Sequence, residues 1–143
     1  MDVPASQRPG GAPFTRIVDL RPNLKPVNVT FIVLEKGTPQ HGGGTSVGVV
    51  ADSTGSVNFQ FWGAEADAIQ PGDIIRLLGG MFASYKGNMI LKAGKMGVIE
   101  RIGESNMVFC EVPNMSRIQW LEDKGGWAPA EQLPSRFWAP PKV

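Results

Sequence analysis

Trp62 ends the run Ser56-Val57-Asn58-Phe59-Gln60-Phe61-Trp62, in which Val57, Phe59 and Phe61 alternate with Asn58, Gln60 and Trp62. On a β-strand that alternation puts the indole on the polar face with Asn58 and Gln60. An exposed indole on a sheet is a platform on which flat π-systems such as nucleobases stack. Alternation alone is equally consistent with an indole covered by the short helical segment after it or by the C-terminal segment. Between Arg76 and Arg101 stand five basic residues, Arg76, Lys86, Lys92, Lys95 and Arg101, against one acidic residue, Glu100. Such local enrichment, with Tyr85 interleaved beside Lys86, suits a phosphate backbone tracked by cations while its bases stack on rings. The competing reading of the same run is a solvated hairpin whose lysines face water.

Other chemistries find less support. The loop GTPQHGGGTSVG lacks both the GxxxxGK[ST] and the GxGxxG spacings, which argues against a phosphate cradle. One histidine, His41, and one cysteine, Cys110, exclude an internal disulfide and a Cys/His zinc cluster, so no metal or other cofactor is expected. The carboxylates Glu65, Asp67, Asp73, Glu122 and Asp123 lie in turn-like contexts with nothing to pair two of them across a cleft. Cys110, between Phe109 and Glu111, reads as a buried strand residue. No constellation supports an enzyme.

The elements that must position Trp62 and the basic run are strands. Residues 27–36 put Val27, Val29, Phe31 and Val33 on one face, and both faces turn apolar midway, as in a strand that curls through a barrel. Ser46–Ala51 resumes a strand, and Asp52-Ser53-Thr54-Gly55 reads as the hairpin turn into Trp62's strand. GAEADAI gives a short helix stopped by Pro71. Asp73–Leu78 follows as a strand, with a bulge at Gly79-Gly80, a hairpin around Lys86-Gly87-Asn88 and an arm Met89–Lys92. Met107–Val112 reads as a closing strand. This order predicts a small, mainly β barrel; the oligonucleotide/oligosaccharide-binding (OB) type, a five-stranded Greek-key barrel with a short helix between strands 3 and 4, is one architecture that fits it, beside other small barrels.

A chain of 143 residues with 42% apolar and 19% charged residues sustains one core, and 18 Gly with 12 Pro imply many turns. A net charge of +1 gives no global field toward polyanions, so any basic surface is local. No apolar run has the length of a secretory or membrane-spanning segment, and a soluble intracellular protein is expected. The chain divides into a Pro- and Gly-rich leader over residues 1–13 expected to be disordered, a barrel over 14–116, and an aromatic, Pro-rich C-terminal tail over 117–143 holding Trp120, Trp127 and Trp138.

The pieces LRPNLKPVNVTFIVLEKG, ADSTGSVNFQFW, IQPGDIIRL, YKG, IGE and MVFCEVPN, in this order over roughly residues 17–115, resemble the DNA-binding components of the SOSS complex, the SOSS-B family of simple, single-OB-fold single-stranded-DNA-binding proteins. The resemblance implies a nuclear protein that binds single-stranded DNA, and related RNA, in DNA-damage repair. It further implies a complex with a large helical scaffold subunit and a small third subunit, linked through the scaffold to the Integrator complex. Trp62 and Tyr85 match stacking positions of the family, and Lys86, Lys95 and Arg101 match basic positions beside the DNA.

Met81 and Lys92 depart from that pattern, because the family commonly has aromatics there. A one-residue shift at Gly79-Gly80 would let Phe82 replace the first, and Lys92 would replace stacking by a phosphate contact or a cation–π contact. The loss of two stacks leads one to expect weaker, more salt-dependent binding than in relatives, or an interaction module whose nucleic-acid binding is weak or directed to RNA. The scaffold-binding surface is expected on Val18, Leu20, Pro22 and Leu24 of the first segment and on Glu104, Val112 and Pro113 of the closing one.

Overall fold

A computed structural model describes residues 14–37, 45–85, 87–104, 107–123 and 126–129. The expected leader, His41 with most of its glycine-rich loop, Lys86 and Trp138 lie outside the described residues. Five strands, β1 (Val27–Glu35), β2 (Thr45–Asp52), β3 (Gly55–Trp62), β4 (Asp73–Tyr85) and β5 (Asn88–Glu104), close a barrel in the order β1-β2-β3-β5-β4. All pairings are antiparallel except β3 with β5, which meet in parallel at Phe59 and Leu91. The helix α1 (Gly63–Ala68) lies between the third and fourth strands, so among the small barrels the element order allows this is the OB type. Among the described residues no helix is long and apolar enough to cross a membrane.

Inward-facing Val29, Phe31, Val33, Val50, Val57, Phe59, Phe61, Ile75 and Leu77 fill the barrel. Phe59 packs its ring against both Phe31, at 5.1 Å between centroids, and Phe61, at 4.9 Å. α1 rests on one end through Ala66 and Ile69, and Lys36 Nζ donates to the carbonyls of Ala66 and Ile69. A cation on the last carbonyls is the favourable sign for a helix C-terminus.

The turn between β2 and β3 does more than reverse the chain. Asp52 Oδ1 accepts from the backbone N–H and the hydroxyl of Thr54, as an Asp turn should. Asp52 Oδ2 accepts from the N–H of Ile17 at 2.9 Å, and Thr54 Oγ1 from that of Val18 at 3.1 Å. These bonds seat the 3-10 turn Ile17–Asp19, and its Ile17 and Val18, with Leu20, enter the core. Val18 and Leu20 are therefore core residues, not a partner surface. Pro22 is also buried, and so is Pro113, whose carbonyl accepts from Ser56 N at 2.9 Å.

Two further expectations change. β5 runs 17 residues, to Glu104, and itself closes the barrel against β4. Residues 107–112 consequently form no strand, and half-buried Cys110 donates its N–H to Asp52 O at 2.8 Å. The segment read as a tail contains a hairpin of β6 (Trp120–Asp123) and β7 (Gly126–Pro129), and Trp120 packs against the core.

Candidate nucleic-acid interface

The site begins with a change of parity in β4. Ile75 and Leu77 point inward, then the register shifts between Leu78 and Gly80, with Gly79 at φ 71°, and Phe82 becomes the next large inward side chain. The left-handed backbone at Gly79 is one a β-carbon would disfavour. Its N–H donates to Oδ1 of buried Asn28 on β1 at 3.0 Å, so the bulge is tied down by a side chain. Downstream of it, Met81 faces outward, opposite Lys92 on β5. The expected one-residue substitution of Phe82 for an exposed aromatic is thus reversed: Phe82 is fully buried, with its ring edge-on to Trp120.

Trp62 closes the site from the other side. It ends β3 with 48% of its surface exposed, and the chain leaves at Gly63 with φ 48°. Trp62, Met81, Lys92 and Lys95 line an open groove of about 390 Å³ whose remaining lining is small: Ala93, Gly94 and Gly97. A β-carbon on Gly94 would lie 2.7 Å from the carbonyl oxygen of Gly79, and one on Gly97 2.9 Å from the same atom, so β5 can press against the bulge only as glycine. Beside one large ring lies a nearly bare backbone, with two lysines at its margin.

Electrostatics divides the basic residues that sequence treats alike. Among the described residues Lys92 and Lys95 have no ion-pair partner, whereas Arg76 faces Glu100 across the strands, 4.0 Å between Nη1 and Oε1. Arg101 donates to Asp73 Oδ1 at 3.0 Å and to Glu104 Oε2 at 2.8 Å, and these partners raise its pKa, the Asp73 hydrogen bond foremost. Burial works to raise the pKa of Asp73, but the Gln70 N–H and Arg101 together outweigh it and hold the carboxyl below its ordinary range. Arg101 is thus bonded to two carboxylates, Arg76 faces one at longer range, and neither lines the groove.

The polar neighbours of Trp62 are also committed. Gln60 is buried, contrary to the alternation reading, and Asn58 is half-buried. Asn58 Oδ1 accepts from Asn114 Nδ2 at 3.2 Å and its N–H donates to Ser116 Oγ at 2.9 Å, because the 3-10 turn Met115–Arg117 packs on β3. Tyr85 ends β4 opposite Asn88, and its side chain, like the whole of Lys86, lies outside the described residues. Of the partner candidates, Leu24, Glu104 and Val112 are exposed, Glu104 in its bond with Arg101. Gly94 and Gly97 were missed as site residues; two glycines three apart around Lys95, inside an otherwise strand-like run, are the signal that could have found them.

No family model matches the sequence. The chain is 32% identical over 95 residues to the single-stranded DNA binding protein Ssb of Saccharolobus solfataricus, a match covering 62% of this chain and 64% of that relative. The match is distant, and the chain spans less than two thirds of that protein's length. Among solved structures it is similar to a hypothetical protein of Arabidopsis thaliana, with a TM-score of 0.66 at 21% identity over 77% of this chain and 87% of the other. It is similar too to a murine DNA binding protein bound with double-stranded DNA, with a TM-score of 0.53 at 21% identity over 68% of this chain and 51% of the other. The HINb domain of p204 gives a TM-score of 0.52 at 14% identity, over 65% and 49% of the two chains. At these identities the likenesses establish the fold.

Proposed function

We propose that this chain binds single-stranded nucleic acid, DNA in the first place, by stacking a base on Trp62 and holding the adjoining phosphates with Lys92 and Lys95. The observation that carries the reading is the groove itself: a half-exposed indole beside bare glycine backbone, flanked by two lysines that have no carboxylate partner among the described residues. Ring faces and phosphates are common to every base, so such a site does not select sequence. Similarity to an archaeal single-stranded DNA binding protein supports the same ligand class.

On the resemblance to the SOSS-B family, the chain acts in the nucleus as the DNA-binding component of a repair complex with a helical scaffold subunit and a small third subunit, linked to Integrator. Its scaffold-facing surface is then not Val18 and Leu20 but exposed Leu24 and Val112, with Val108 and Phe109, which stand 80% and 43% exposed.

Fluorescence anisotropy of labelled oligo-dT, titrated with the full chain at about 50 and 200 mM salt, tests the binding. Affinity should fall with salt with a log–log slope of at least about −1.4, the share of two phosphates on a single strand. Trp62→Ala should weaken binding by about 1–3 kcal/mol, with circular dichroism unchanged. No binding at low salt by folded protein would refute the reading.

A further inference from the structure

Irregularities of β1 and β5 against β4 converge on one residue, Gly79. On the β1 side Val27 pairs with Gly80 and Val29 with Leu77, so Asn28 alone stands opposite Leu78 and Gly79. On the β5 side Gly80 pairs with Ala93 and Leu78 with Val98, so the four residues Gly94-Lys95-Met96-Gly97 stand opposite Gly79 alone. An ordinary bulge sets two residues against one, and this excursion is twice that size. Gly79 meets it with its carbonyl and is itself held by its N–H. The carbonyl oxygen is the atom on which Gly94 and Gly97 close, where β-carbons would come within 2.7 and 2.9 Å. The N–H is taken by Oδ1 of fully buried Asn28 at 3.0 Å. Lys95, between the two glycines, is exposed and lines the Trp62 groove.

We infer that Asn28 is a positioning residue of the nucleic-acid site, which sets the place of Lys95 in the groove without touching the strand itself. The inference rests on the reading of the Trp62 groove and adds the residue that fixes one of its cations. The chain of support is short: the buried amide holds Gly79, Gly79 seats the excursion, and the excursion carries the ammonium. Burial excludes a direct role, because Asn28 offers no exposed surface to a phosphate or a base. Lys92 depends on none of this, since it sits in the regular register opposite Met81. Loss of Asn28 should therefore remove one cation's share of the binding and leave the stack on Trp62.

Oligo-dT titrations of the full chain at about 50 and 200 mM salt, with Asn28→Ala, Lys95→Ala and the double variant, test this as a cycle. Each single variant should weaken binding at low salt by about three- to tenfold and reduce the log–log slope by up to about 0.7, one phosphate's share. The double variant should bind within about twofold of Lys95→Ala alone, because both act through one contact. Asn28→Asp keeps an acceptor for the Gly79 N–H and should retain the slope of the unchanged protein, at some cost in stability. Hydrogen exchange at the Gly79 N–H should quicken at least about fivefold in Asn28→Ala, the equivalent of one lost hydrogen bond, and reads the anchor without any ligand. Losses that multiply in the double variant would make Asn28 a general support of the fold and overturn the inference. Faster exchange at Gly79 with unchanged affinity and slope would overturn it too. If Lys95→Ala itself leaves binding and slope unchanged, the place given to Lys95 in the groove is what fails, and the role of Asn28 falls with it.

Discussion

Arg101 and Asp73, 28 positions apart in sequence, meet where β4 and β5 pair, with Nε of the guanidinium 3.0 Å from Oδ1 of the carboxylate. The contact closes one end of the barrel, because Asp73 also accepts from the Gln70 N–H at 2.9 Å and so fixes the turn into β4. It pairs with a carboxylate an exposed cation that the sequence offers as a phosphate contact.

Acid should therefore weaken the fold through Asp73. Its folded pKa lies below that of the unfolded chain, about 3.9, so between the two values the unfolded state binds more protons. The stabilisation is present above that pH and is lost as pH falls through the folded value. Asp73→Asn should lower Tm at pH 7 by on the order of 5 °C and flatten the dependence of Tm on pH below about 4, as read by circular dichroism melts.

Lysines and arginines of the same run should separate in a salt titration. Lys95→Ala should reduce the log–log slope by about 0.7 and weaken binding at low salt. Arg101→Ala should leave both the slope and the affinity within about twofold, at some cost in thermal stability. An Arg101 effect equal to that of Lys95 would mean that the strand runs over the far end of β5.

An aromatic at position 81 should strengthen the site. Met81 faces outward into the Trp62 groove, where a ring has room on the small floor of Ala93 and Gly94. Met81→Phe should tighten oligo-dT binding by about 1 kcal/mol, the lower range for one base–aromatic stack, and leave the log–log salt slope unchanged, because no phosphate contact is added or lost. Isothermal titration against the unchanged protein reads both.

Phe82, adjacent in sequence, should behave oppositely. It is fully buried against Trp120, and Phe82→Leu should cost about 1–2 kcal/mol in urea unfolding while leaving oligo-dT affinity within about twofold. Loss of affinity without loss of stability would return Phe82 to the binding surface.

Local patterns determined most of the barrel. Alternation in residues 27–36 and 56–62, the Asp52–Gly55 turn and the short helix before Pro71 are signals within a few residues, and each element formed within a residue or so of where its side chains demand. The place of Trp62 on the strand face of Asn58 and Gln60 was legible in the same way, but its exposure was not, since buried Gln60 shares that face and only the packed neighbours decide what covers it. Tertiary structure decided what depends on distant partners. Asn28 anchors the Gly79 bulge, and the resulting shift of parity turns Phe82 inward and Met81 outward. Asp73 and Glu104 take Arg101, and Arg76 faces Glu100, so that among the described residues Lys92 and Lys95 line the groove. Asp52 and Thr54 pull Ile17 and Val18 into the core, and β6–β7 brings Trp120 onto Phe82. A residue's type states what it can bond; only the packed chain decides which partner reaches it first.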